Sequence, residues 1–123
     1  MDELREYFEN TEGVGVLATA DSEGKVDQAI YARPHVADGG QLVFVMMKNL
    51  SHENLQSNPF ACYLFMEKEG KYQGKRIYLK MTGETEDAEI IESMKRRCCS
   101  ESKEGREVVA YFEIQKVRPL VGG

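Results

Sequence analysis

The sequence is poor in several residue types, and each shortage argues against a class of protein. Its 123 residues include no tryptophan, only three cysteines, three prolines and two histidines. An odd, small number of cysteines argues against a disulfide-stabilised secreted scaffold and favours a reducing compartment. With few prolines and 11 glycines, the composition is neither collagen-like nor that of a disordered chain. Apolar runs such as Leu42–Met47 are far too short to span a bilayer, so no membrane segment is expected.

Positive charge is also in short supply. The chain has 16 lysines and arginines against 21 acidic residues, a net charge of −5. Nucleic-acid-binding proteins normally neutralise phosphates with a basic face, so no general binding to nucleic acid is expected. The acidic N-terminus has no basic segment followed by an apolar stretch, which argues against a secretory signal. We therefore expect a cytoplasmic protein in which residues 1–123 form a single domain.

Turn residues divide the chain into short segments. Helical spacing predicts helices over the first ten residues, over 49–56 and over 87–97. Apolar patterns predict six strands: Val14–Ala20, Val26–Val36, Gln41–Met47, Phe60–Glu67, Arg76–Thr82 and Val108–Val117. The first three strands, joined by short turns, predict an antiparallel meander. Six strands with only short helices predict a mainly β protein, a six-stranded antiparallel barrel. Because so small a barrel fills its own interior, a cofactor would bind in a surface cleft or between subunits.

Two segments combine polar groups suited to an anion. The first, Tyr31–Val36, contains Arg33, and the second begins with Lys48 at the start of the predicted second helix. Asn49 or Ser51 would cap that helix, whose first N–H groups and positive dipole end attract anions. With Lys48 and Arg33 nearby, this pattern predicts a phosphate site. The alternative is an ordinary capped helix with two solvated basic side chains.

The order and spacing of these segments resemble the pyridoxamine 5′-phosphate oxidase-related family of FMN-binding split barrels. The resemblance runs from about Gly13 to Thr85 and is carried by these stretches: Gly15–Asp21 with Gly24, the strand Val26–Val36, Leu42–Val45, Asn54–Pro59 and Lys80–Thr85. It implies a split barrel that forms a homodimer with FMN at the subunit interface. The function it implies is that of a flavin-dependent oxidoreductase or an electron-transfer protein.

The resemblance also implies which residues contact the cofactor. Tyr31, Ala32 and Arg33 match positions that line the flavin. Met46, Met47 and Lys48 match the strand end beside the ring and ribityl chain. Asn49, Leu50 and Ser51 match the family's Ser-Arg-Lys phosphate-binding run, with Leu50 and Ser51 in place of its arginine and lysine.

That departure leaves the phosphate without its usual cations. Arg33, Lys48 or His52 then has to supply the positive charge, because a dianion is costly to desolvate alone. We expect Arg33 and Lys48, with Ser51 and the helix N-terminus, to hold the phosphate. The sequence predicts no particular catalytic residue and no metal site.

Other functions remain open at this point. The chain lacks the arginine-rich C-terminal segment of authentic pyridoxamine phosphate oxidases, so that reaction is not expected. A split barrel without FMN could bind another small ligand, or haem through His35 or His52. An unrelated small barrel could act only through protein contacts. Cys98 and Cys99, beside Arg96 and Arg97, are expected to pack rather than to do redox chemistry.

Overall fold

The computed structural model describes residues 2–95 and 106–122. Within these ranges the helices are α1 (Asp2–Asn10), α2 (Leu50–Ser57) and α3 (Ala88–Met94). The strands are β1 (Gly13–Ala20), β2 (Val26–Ile30), β3 (His35–Val36), β4 (Leu42–Met47), β5 (Phe60–Glu67), β6 (Gly74–Thr85) and β7 (Glu107–Pro119). The mainly β prediction is confirmed. Cys98 and Cys99 lie outside the described residues.

All seven strands belong to one antiparallel sheet with the order β2-β1-β5-β6-β7-β4-β3. The edge strands β2 and β3 follow each other in the chain, separated only by residues 31–34. So short a connection cannot link the two edges unless the sheet curls until they approach each other. The sheet is therefore a barrel that is split between β2 and the β3–β4 hairpin.

The predicted second strand, Val26–Val36, is wrong as a single element. The first part, β2, pairs with β1, whereas the last part, β3, pairs with β4. The described residues therefore contain seven strands rather than six, and the predicted meander is two hairpins at opposite edges of the sheet. Pro34 accounts for the break, because proline has no N–H to donate to a strand ladder and restricts the residue before it.

Alternation of buried and exposed side chains gives the sheet an apolar inner face. Its buried members include Leu17, Phe44, Met46, Tyr63, Phe65, Ile77, Leu79, Val108, Ala110 and Phe112. A smaller cluster, Val43, Val109 and Ile91, lies where α3 covers the other face of β4 and β7. Among the helices of the described ranges, none combines the length and the apolar character needed to cross a membrane.

Candidate functional site

A cleft of about 330 Å³ opens at the split of the barrel. Residues of β2, of the 31–33 connection and of β4 form most of its walls. Six of the nine residues predicted to contact a cofactor line it: Tyr31, Ala32, Arg33, Met46, Met47 and Asn49. The other three, Lys48, Ser51 and His52, are not among its walls. The cleft is largely apolar and its volume is that of a small-molecule site, for which roughly 300–1,000 Å³ is usual.

Tyr31 supplies a polar group in this apolar wall. Its ring packs edge-to-face on Phe44, with ring centroids 6.1 Å apart, and its backbone N–H donates to the Gly15 carbonyl at 3.0 Å. The hydroxyl is buried and has no hydrogen-bond partner among the described residues. A buried hydroxyl without a partner costs about 1–3 kcal/mol. A ligand in the cleft that accepted this hydrogen bond would recover that cost.

The start of α2 lies next to the cleft, at Asn49. Asn49 is the one of the two predicted caps that the structure uses, and its side chain accepts a hydrogen bond from the His52 N–H at 3.4 Å. Ser51, in the first turn, is only 1% exposed, and its Oγ has no partner among the residues that the structure describes. Free N–H groups and an unpartnered buried hydroxyl together form a group of hydrogen-bond donors that suits an anion.

Of the three basic side chains considered for the phosphate, Lys48 and His52 each face a carboxylate. Lys48 Nζ lies 2.9 Å from Glu86 Oε1, and His52 Nε2 lies 3.1 Å from Glu84 Oε1. Gln56 Nε2 also donates to Glu84 Oε1, at 3.1 Å. The side chains that flank the helix start therefore bring negative as well as positive charge.

Arg33 does not join them there. Its Nη1 donates to the Phe8 carbonyl at 2.9 Å and to the Thr11 carbonyl at 2.7 Å. Those carbonyls belong to the last turn of α1 and the residue just after it, which have no partners within the helix. Arg33 therefore fastens the end of α1 to the 31–34 connection, while Lys48 and Ser51 lie at the start of α2.

One polar wall of the cleft was not predicted from the sequence. Lys95 Nζ and Glu107 Oε1 form an ion pair at 2.9 Å in which the side chains are only 8% and 10% exposed. His35 lies on the same wall, and its Nε2 is 2.6 Å from the Met94 carbonyl. No motif links these residues, because they are distant in sequence and meet only where α3 ends beside β7.

The same contacts bear on the haem alternative. The Nε2 atoms of His35 and His52 face the Met94 carbonyl and the Glu84 carboxylate. Haem is normally bound through Nε2, which in both histidines faces an oxygen atom, so haem binding is not favoured. Within the described residues, no three His, Cys, Asp or Glu side chains are grouped so that they could hold a metal ion.

The residues at this site fit a flavin better than they fit haem. An apolar cleft suits the isoalloxazine ring, and the unpartnered Tyr31 hydroxyl suits the ring's polar edge. Ser51 and the N-terminus of α2 suit a phosphate or a sugar-alcohol chain.

Solved structures share this architecture. An FMN-binding protein from Syntrophomonas wolfei subsp. wolfei matches 98% of this chain and 85% of its own, with a TM-score of 0.74 and 15% identity. A NimC/NimA family protein from Clostridium acetobutylicum matches 91% and 81%, with a TM-score of 0.70 and 19% identity. A pyridoxamine 5′-phosphate oxidase-like protein from Lactobacillus delbrueckii matches 96% and 92%, with a TM-score of 0.69 and 17% identity.

These similarities establish the fold. The chain matches no protein-family model and no curated protein at a significant level. The split-barrel architecture expected from the sequence resemblance is confirmed.

Proposed function

Because the chain has the split-barrel fold of the pyridoxamine 5′-phosphate oxidase-like proteins, we propose that it binds FMN and acts in flavin-dependent oxidoreduction or electron transfer. The observation that carries the proposal is the apolar cleft at the split, which is lined by Tyr31, a residue whose buried hydroxyl has no partner among the described residues. The FMN-binding protein of the same architecture supports it.

Bound FMN would supply the redox chemistry itself, as the electron carrier. The chain's own residues bind and orient it. Tyr31 donates a hydrogen bond to the ligand, and Met47 packs against the ring. Ser51 and the first N–H groups of α2 hold the distal end. The buried Lys95–Glu107 pair closes one side of the cleft and limits the access of water.

We propose that a second copy of this chain completes the site. Exposed apolar side chains occupy one face of β2, β1 and β5: Val14, Val26, Ile30, Phe60 and Met66. The register of these strands places all five on the same side of the sheet. Large apolar patches of this kind mark interaction surfaces. Ile30 also lines the cleft, so a subunit seated on this face would cover the ligand.

Val26→Glu tests the dimer, since Val26 is 81% exposed on this face and does not line the cleft. We expect light scattering to give the mass of two chains for the native protein and of one for the variant. The FMN affinity of the Val26→Glu variant should fall at least tenfold as the dimer is lost. Val121→Glu places the same charge at an exposed position on the C-terminal segment and should change neither. A native protein with the mass of one chain would refute the dimer.

The binding proposal is tested by titrating the purified protein with FMN and with riboflavin, following flavin fluorescence and absorbance. We expect saturable binding with one flavin per chain and a shifted flavin spectrum. A colourless protein that binds neither flavin would refute the proposal and favour a module for another small ligand.

Tyr31→Phe should have opposite effects on stability and binding. Removing a buried hydroxyl without a partner should raise the free energy of unfolding of the ligand-free protein by about 1 kcal/mol. Losing a hydrogen-bond donor to the flavin should weaken flavin affinity about tenfold. Chemical denaturation and flavin titration measure the two effects. Unchanged affinity would show that the hydroxyl does not contact the ligand.

A further inference from the structure

At the start of α2 a lysine and a histidine each contact a carboxylate, and a phosphate would have to compete with these two contacts. Lys48 precedes the cap residue Asn49, and His52 lies in the first turn of the helix. Each contacts a carboxylate from the end of β6 or just beyond it: Glu86 at 2.9 Å and Glu84 at 3.1 Å. Both basic groups that flank this end of the site are therefore beside a negative charge.

Other charges nearby add to the negative balance. Glu53 is exposed in the first turn of α2, and Asp87, next to Glu86 in the chain, caps α3. The guanidinium of Arg33, which could have offset them, donates to carbonyls at the end of α1. The groups at this helix start that no carboxylate engages are neutral: the first N–H groups of α2 and the buried Ser51 Oγ, which has no partner among the described residues.

A phosphomonoester carries a charge of about −1.5 to −2 near pH 7. It is bound strongly where cations are free to make charge-assisted hydrogen bonds. At this helix start it would either share Lys48 and His52 with the carboxylates or displace them, and it would lie close to both carboxylates in either case. A neutral ribityl hydroxyl could accept the same N–H groups without that repulsion.

We propose that Glu84 and Glu86 set the discrimination between phosphorylated and unphosphorylated flavins. In this arrangement FMN gains little affinity over riboflavin, and the site accepts both. The inference rests on the proposed flavin site and specifies which flavin that site selects.

The experiment compares the dissociation constants of riboflavin and FMN near pH 7 for the native protein, Glu84→Gln, Glu86→Gln and the double variant. We expect the native affinities to agree within about threefold. Each substitution should tighten FMN binding about tenfold, because it removes one negative charge beside the phosphate near the protein surface. Riboflavin binding should not change. Added salt should weaken FMN binding to the double variant, because salt screens the attraction between the phosphate and the nearby basic side chains.

Glu12→Gln is the matched control. Glu12 also forms an exposed ion pair, with Lys68 at 3.7 Å, but at the start of β1, and it does not line the cleft. The same loss of one carboxylate there should leave the FMN-to-riboflavin ratio unchanged. If Glu12→Gln raised the FMN-to-riboflavin affinity ratio as much as Glu84→Gln does, the effect would be one of net charge and the inference would be overturned.

Two further results would overturn it while leaving flavin binding intact: native FMN affinity at least about a hundredfold above that of riboflavin, or a ratio that the double variant does not change. If no variant binds either flavin, the proposed function fails and this inference fails with it. The two failures are distinguishable, because riboflavin binding is lost only if the proposed function fails.

Discussion

Replacing Phe8 by alanine should lower the free energy of unfolding by about 3–5 kcal/mol, the cost usual for a fully buried phenylalanine. Phe8 is 0% exposed and is the main anchor of α1. Its ring packs against Phe65 at 5.3 Å and Tyr63 at 6.2 Å between centroids. Urea denaturation followed by circular dichroism measures the change.

The effect should extend to the site. The Phe8 carbonyl accepts a hydrogen bond from Arg33, so loosening α1 also loosens the 31–34 connection. Tyr7 holds the same helix, because its hydroxyl donates a hydrogen bond to Glu67 at 2.6 Å. Burial, and to a lesser extent this hydrogen bond, raises the pKa of Tyr7 well above its usual range. We expect α1 to remain partly attached and flavin affinity to fall.

Tyr72→Ala is the control for Phe8→Ala. Tyr72 is a large aromatic residue that is 75% exposed, so its truncation should change stability by less than about 0.5 kcal/mol. A similar loss in both variants, or a loss below about 1 kcal/mol for Phe8→Ala, would show that α1 does not pack as described.

Replacing Gly15 by alanine should cost about 3 kcal/mol and weaken flavin binding more than tenfold. A Cβ at Gly15 would lie 1.9 Å from Tyr63 Oη and 2.3 Å from Tyr63 Cζ, so the buried ring must move. Overpacking of this kind costs about 1–3 kcal/mol. The displaced hydroxyl would also lose its hydrogen bonds to the carbonyls of Tyr31 (3.1 Å) and Ala32 (3.3 Å), which belong to the cleft wall.

A double-mutant cycle with Tyr63→Phe separates the two contributions. Tyr63→Phe alone should cost about 1 kcal/mol, since it removes the hydrogen bonds and leaves the ring in place. Added to Gly15→Ala, it removes the atom that clashes most and should restore part of the lost stability and affinity. Strictly additive losses would contradict the steric explanation.

Much of the secondary structure could be predicted because its signals are local. The predicted strand Phe60–Glu67 agrees with β5 at both ends. The Asn49 cap and the end of α2 before Asn58 and Pro59 also follow from neighbouring residue types. The break after Ile30 was missed because a run of strand-forming residues does not show where its pairing partner changes. Pro34 was the available signal.

The cleft was only partly predictable. The segments containing Tyr31 and Met46 could be assigned because they resemble a family pattern with fixed spacing. The Lys95–Glu107 pair and the two carboxylates beside Lys48 and His52 could not, because these residues lie in or next to α3, β6 and β7 and meet their partners only in the folded chain. Ion pairs between distant segments leave no periodic trace in a sequence.

The sequence by itself determined the class of the protein: mainly β strands with short helices, a capped helix after the predicted strand Gln41–Met47, and no excess of positive charge. These properties depend on composition and on the spacing of neighbouring residues. Only the tertiary structure decided how the charges are used. The strand order places Glu84 and Glu86 against the start of α2. The guanidinium of Arg33 instead donates to two carbonyls at the end of α1. The overall shortage of positive charge is therefore also a local one at the start of α2, where a phosphate would bind.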